Sequence, residues 1–251
     1  MVLAEFLETQ LMGFILVFAR LGSALVFMPG IGEQNVPIRH RLLFAFALSA
    51  GLYPATPVGG FTTFDPVAFL PVFFFEITIG IWVGLTARIL LSALQFAGYQ
   101  IGLVAGLSNA FAPSIGSFEG STMVATGMLM AGVALIFATD MHHLIIAALL
   151  MTYEVFPVGR IVLADMAEQT AQAAAKSFYI GVSVTAPFYL MGLLTSLGLG
   201  LANRMMPTLP VFFVAVPVLI FLGLLVLAIS APWAFSGFLG QFAEWLGLLA
   251  L

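Results

Sequence analysis

Apolar residues run in long blocks along this chain, and polar residues fall in short clusters between them. A helix that crosses a bilayer needs about 20 mostly apolar residues. Residues 11–28 nearly meet that length, with Arg20 as the interruption, and Pro29-Gly30 ends the block. Residues 33–41 are polar, 42–53 apolar but short, and Pro54 and Pro57 close that segment. Gly59-Gly60 and Asp65-Pro66 predict a loop, with Asp65 placed to cap the next helix. Residues 66–94 are long and apolar around Glu76 and Arg88, and 95–107 continue helical but rich in Gly. Residues 122–139 form a spanning candidate that Asp140 breaks, and 141–153 form a shorter one. Residues 157–176 are the second polar region, with strong helix propensity from Ala164 onward. Residues 177–201 are apolar around Pro187, 211–230 form the last full span, and 235–251 form a separate helix, amphipathic or short and buried, carrying Glu244. The pattern predicts about six apolar segments, two or three of them too short or too broken for simple spanning. Irregular backbone at membrane depth survives only inside protein or along a water-filled path.

Composition moves this from a helical pattern to a class. The 251 residues are 62% hydrophobic and only 7% charged. Soluble domains carry roughly a quarter charged residues, so no stretch here has a water-facing composition. The reading is an all-α integral membrane protein forming one domain over residues 1–251, with short polar connections and a place in the lipid bilayer. The absence of Cys excludes disulfides, thiolate metal sites and a Cys nucleophile. A net charge of −4 without a basic run leaves no footprint for nucleic acid. Residues 1–10 carry Glu5 and Glu8 without Lys or Arg, so they do not read as a signal peptide, and insertion is expected to rest on the first apolar helix.

Candidate chemistry is sparse. There is no Gly-rich run ending in Gly-Lys-Ser/Thr and hence no P-loop. Asp140-Met141-His142-His143 lacks further ligands nearby, so it reads as a polar helix junction with Asp140 capping the following helix rather than as a metal site. No catalytic residue, metal or cofactor is expected. Glu76 and Arg88 are ionisable groups inside an apolar helix, about 3.3 turns apart, so they do not face one another. Each needs a partner elsewhere, and the readings are an inter-helix ion pair, a snorkelling Arg or a proton relay. Gly98, Gly102 and Gly106 repeat every four residues, and Gly80 with Gly84 and Ser196 with Gly200 form further pairs. Such stripes let helix backbones approach closely. Residues 108–121 mix turn formers with Phe111, Ile115 and Phe118, which suits either a loop folded into a cavity or an interfacial loop dipping into lipid.

The order of motifs is itself informative. Arg20, Met28-Pro29-Gly30-Ile31-Gly32, Val36-Pro37 and Arg39-x-Arg41-Leu42-x-Phe44-Ala45 come first. Glu76-Ile77-x-Ile79-Gly80, Ala97-Gly98 through Gly106-Leu107, Asp140-x-His142-His143 and Phe156-Pro157-Val158-Gly159 follow, then Ala186-Pro187, Leu197-Gly198-Leu199 and Asn203-Arg204-x-x-Pro207. This ordered set resembles the FliR/SctT family, an integral subunit of the type III export gate in bacterial flagella and injectisomes. Val211-Phe212-Phe213-Val214 followed by Pro217 is more similar to the flagellar branch.

The resemblance implies tilted, partly broken helical hairpins packed in a spiral with FliP-like and FliQ-like subunits around a central pore. FlhB-like and FlhA-like proteins would be further partners. It implies a FliP-like part over about 1–170 and a FliQ-like hairpin over about 171–251. The location implied is the bacterial inner membrane, within the flagellar basal body, and the cargo is unfolded axial proteins. The loop then becomes a pore plug. Phe111, Ile115 and Phe118 would block ion leakage, Gly106, Gly116 and Gly120 would let the loop swing aside, and Leu107, Asn109, Pro113 and Glu119 complete the plug. The rivals are a secondary transporter of a small solute, built on broken helices, and a lipid-group transferase, whose acidic metal motif the scattered carboxylates do not supply.

Overall fold

In hydrocarbon every backbone N–H and C=O must be answered inside the protein, and a helix does this within one segment. The computed structural model follows that rule. It describes residues 2–33, 36–58, 66–107, 119–205 and 211–248, and every regular element among the described residues is helical. The elements are α1 (Val2–Phe27), α2 (Ile38–Leu52) with a 3-10 turn at Tyr53–Ala55, α3 (Pro66–Val104), α4 (Glu119–Ala138), α5 (Met141–Val155), α6 (Leu163–Met205) and α7 (Val211–Leu248). Four of these helices are long and apolar enough to cross a membrane, and the bent pair α4–α5, a broken span or a re-entrant loop, makes a fifth if it is counted as one span.

One expected break is absent, and elsewhere the helices run on through their prolines as expected. Residues 66–107 form one helix to Val104, with Pro71 inside it. The expected separate helix at 235–251 is the end of α7, which runs through both Pro217 and Pro232 to Leu248. Pro187 likewise lies inside α6. In lipid, an interrupted helix exposes backbone groups to hydrocarbon, so Pro and Gly that break helices in water are carried within them. The start of α1 is also earlier than the apolar block, at Val2, because Glu, Gln and Thr are compatible with a helix even where they are not apolar. Asp65, Gly59 and Gly60 lie outside the described residues.

The break at Asp140 is real and sharp. α4 and α5 bend there by 80°. Asp140 adopts φ 58, the left-handed region, and its side chain makes no capping hydrogen bond to α5. This departs from the expected cap, because a capping side chain reaches the N2 or N3 amide from an extended backbone. The Asp140 carbonyl instead accepts from the His143 amide at 3.1 Å.

The chain divides into two compact units. The first comprises Met1–Leu90, Ile136–Ala174 and Phe242–Leu251. Its core is built by Leu16, Leu21 and Leu25 of α1, Ile79 and Val83 of α3, and Leu149 and Tyr153 of α5. Trp82 of α3 is buried edge-on against Phe156, with centroids 5.3 Å apart, and donates its indole N–H to Met166 O at 3.1 Å and Thr170 Oγ1 at 2.9 Å. α2 lies on α1 through Phe46 against Phe14 at 5.3 Å.

The second unit comprises Leu91–Leu135 and Ala175–Gln241. Leu94, Ala97 and Ile101 of α3, Ala125 and Met128 of α4, and Phe188 of α6 are buried in it. Here α6 and α7 run antiparallel. Tyr179, Ser183 and Pro187 share one cleft with Ser230, Trp233 and Gly237, while Thr195, Gly198 and Ala202 share another with Ala215 and Leu219. The order along α7 is the reverse of that along α6, as a hairpin requires.

Candidate functional site

An arginine in an apolar helix must find its partners within the protein. Arg20 is the only charge between Leu11 and Phe27, and with Glu76 of α3 it is fully buried, each at 0% exposure. Arg20 Nε donates to Glu76 Oε2 at 2.6 Å and Nη2 to Glu76 Oε1 at 2.9 Å. These two parallel bonds are the fork that guanidinium and carboxylate geometry favours.

The remaining guanidinium donors reach the end of α5. Nη1 donates to Thr152 O at 3.1 Å and lies 3.4 Å from Thr152 Oγ1, and Nη2 also donates to Phe156 O at 3.0 Å. The last carbonyls of a helix have no partner within it and carry the negative end of its dipole, so a cation is well placed there. The guanidinium carbon also sits 3.9 Å from the centre of the Tyr153 ring, within the range of a cation–π contact. One buried side chain thus joins α1, α3 and α5.

Close packing surrounds this point. A Cβ at Gly80 would run into Ser23 Oγ and the Arg20 carbonyl, and one at Gly84 would lie 2.5 Å from Ala24 O. The pair lets α3 lie directly against the α1 backbone beside the arginine. Ser23 Oγ–H donates across the same seam to Ile77 O at 3.2 Å. In the second unit Gly98 faces α4, where a Cβ would stand 2.6 Å from Ala125 Cα. Gly102 is buried as well.

Other residues singled out by sequence stand apart. Arg88 is half exposed, 41%, with Nη2 at 4.0 Å from Glu33 Oε2. Glu76 and Arg88 therefore answer different partners, both on the same chain. An exposed pair of this length contributes about 0–1 kcal/mol, so Arg88→Leu is expected to leave the unfolding midpoint in detergent almost unchanged, as a thermal melt would report. Gly106 lies beyond the last residue of α3 with φ +67. It is the left-handed stop of that helix and not the third member of its stripe. Gly200 has nothing within 4 Å of its would-be Cβ among the described residues. Leu107 is buried, and Glu119 and Gly120 open α4. Asn109, Phe111, Pro113, Ile115, Gly116 and Phe118 lie outside the described residues.

The hydropathy pattern marks Arg20 only as an interruption and the ordered motifs name it without a role, while Thr152 and Tyr153 enter neither. The signal for Arg20 was present, since a lone cation in a spanning segment is itself a site marker. Thr152 and Tyr153 carry no such mark.

A family model described as bacterial export proteins, family 1, matches residues 11–245, a stretch that includes Arg20, Glu76 and Thr152. The flagellar biosynthetic protein FliR of Caulobacter vibrioides is 40% identical over 223 residues, 86% of each chain. That of Bacillus subtilis is 29% identical over 222 residues, 86% of this chain and 85% of the relative. The Yop proteins translocation protein T of Yersinia pestis is 25% identical over 225 residues, 86% of this chain and 84% of the relative.

Proposed function

The chain belongs to the FliR/SctT family of bacterial export proteins, in its flagellar branch, and on that premise we propose that it forms part of the pore of the flagellar type III export gate. It is a membrane-embedded subunit of the export apparatus, a transport component and not an enzyme. The finer reading assigns it to the bacterial inner membrane within the flagellar basal body. There it assembles with FliP-like and FliQ-like subunits, with FlhB-like and FlhA-like proteins nearby, and unfolded axial proteins thread the pore. Residues 1–170 take the FliP-like part, and 171–251 take the FliQ-like hairpin.

Helix length is the observation that carries this reading. α3, α6 and α7 hold 39, 43 and 38 residues, and at 1.5 Å per residue they run about 57–65 Å. The hydrocarbon core is about 30 Å thick. Helices of twice that length suit a subunit that stands partly outside the membrane plane. The antiparallel pairing of α6 with α7 supports the hairpin. A secondary transporter built on inverted repeats would show broken helices in matching positions of two halves. Among the described residues the bent pair α4–α5 has no counterpart.

The Arg20–Glu76 pair is a structural pin in this reading. It is enclosed, and nearly every guanidinium donor is used, so it holds three helices in register. The segment between Leu107 and Glu119 is the plug, with Phe111, Ile115 and Phe118 as its apolar seal and Gly106, Gly116 and Gly120 as its hinges.

Two experiments test the proposal. Gentle detergent purification of the tagged chain from its native cells is expected to bring FliP-like and FliQ-like proteins with it, identified by mass spectrometry. A monodisperse chain on its own, from cells that make those subunits, favours the transporter. Deletion of residues 110–117 is expected to raise ion conductance of cells carrying the assembled gate. Unchanged conductance in a gate that still assembles removes the plug from the proposal.

A further inference from the structure

The Asp140-x-His142-His143 motif offers the same three ligands when read as sequence, and folding brings their donor atoms together. The chain turns through the left-handed Asp140, whose carboxylate caps no backbone amide. One donor atom from each of Asp140, His142 and His143 lies within 4.8 Å of the other two. Donors within this spacing can converge by side-chain rotation toward a common ion, whose usual Zn–N and Zn–O lengths are about 2.0–2.2 Å.

The His142 imidazole is held in place. The His142 ring stacks on Phe137 at 5.5 Å and lies 4.1 Å from the His143 ring. His142 Nδ1 is buried and has no hydrogen-bond partner among the described residues. A buried polar atom without a partner is uncommon in folded proteins and asks for an explanation. His143 Nδ1 stands 3.9 Å from Asp140 Oδ1, too far for a hydrogen bond, and these two side chains are 71% and 80% exposed. The cluster is therefore open to an arriving ion on one side and backed by a fixed ring on the other.

We propose that Asp140, His142 and His143 form a binding site for a divalent transition ion of the Zn2+ class. Two imidazoles and one carboxylate suit such ions, whereas Ca2+ and Mg2+ take oxygen donors almost exclusively. Water completes the coordination on the exposed side. All three ligands come from the N-cap and first turn of α5, so the ion binds the folded turn and not the unfolded chain, and stabilises it by that preference. The site then fixes the left-handed residue on which the bend between α4 and α5 depends.

The test uses the full-length chain in detergent, purified with an affinity tag that contains no histidine and stripped with a chelator. Zn2+ is titrated by calorimetry, and Co2+ by its visible absorption bands. One ion per chain is expected. His142→Ala and His143→Ala should each weaken binding by at least the roughly 10- to 100-fold that loss of an outer partner costs a metal site. His40→Ala removes the third histidine of the chain, which lies on α2 outside the cluster, and should leave binding unchanged. Because His143 is largely exposed, its variant is expected to elute as the parent does, which separates lost binding from lost folding. The proposal is overturned by the absence of saturable binding at one ion per chain, by binding that survives both cluster variants, or by binding that disappears in His40→Ala.

Discussion

Glu76→Gln is expected to cost the folded chain about 3–5 kcal/mol, the penalty for leaving one member of a buried ion pair without its countercharge. In a chain of this size, 1 kcal/mol corresponds to about 2–4 °C in the unfolding midpoint. A thermal melt in detergent should therefore fall by about 6–20 °C, or the protein should fail to accumulate. Arg20→Ala removes more, because it leaves the Glu76 carboxylate buried and takes donors from the Thr152 and Phe156 carbonyls at the end of α5. Arg20→Lys keeps the charge but cannot make the two-pronged bond to Glu76 or lie flat over Tyr153, and it should fall between the parent and Arg20→Ala.

The double variant Arg20→Met with Glu76→Leu separates the pair from its members. Removing both charges leaves no unpaired ion, so the loss should be well below the sum of the two single losses. The melts of the two singles and the double form the cycle that measures this. Additive losses would mean that the two residues act independently, and the pin reading would fail.

The class of the protein was legible at once, because so few charges cannot cover a surface in water. The boundaries were less so, and for one physical reason. Pro inside a segment ends a helix in water, where freed backbone groups bind solvent, and is carried within the helix in a bundle that has none to offer. α3 and the first part of α7 pass Pro71 and Pro217 as expected, and α7 also passes Pro232, where a separate helix was expected to begin. Asp140 stopped a helix as its sequence suggested, though by its backbone and not by its side chain. Glu76 was legible as a buried charge, but its partner was not, since Arg20 lies on another helix and nothing local links the two. Composition and spacing alone end at a membrane bundle of this kind. The ordered motifs, and then the family match over residues 11–245, carry the step to an export subunit.

The glycines call for a sharper reading than spacing allows, and Gly98→Ala provides it. Glycine inside a helix is less favourable than alanine by roughly 0.5–1 kcal/mol, so propensity alone predicts that this change stabilises. The structure predicts the reverse. The new methyl would stand 2.6 Å from Ala125 Cα and 2.9 Å from Val124 O, and both are backbone atoms that no side-chain rotation can move. The helices must separate, at about 1–3 kcal/mol for an overpacked seam. Gly80→Ala should cost at least as much, since its methyl would meet the Arg20 carbonyl and strain the buried pair beside it. Gly127→Ala and Gly200→Ala, with nothing within 4 Å among the described residues, are the matched controls and should be neutral or slightly stabilising in the isolated chain. Melts of the four variants in one detergent decide the matter. Equal shifts would mean that glycine spacing marks only helix composition, whereas losses confined to Gly80 and Gly98 mean that α3 is held by direct backbone approach on each of the two units it joins.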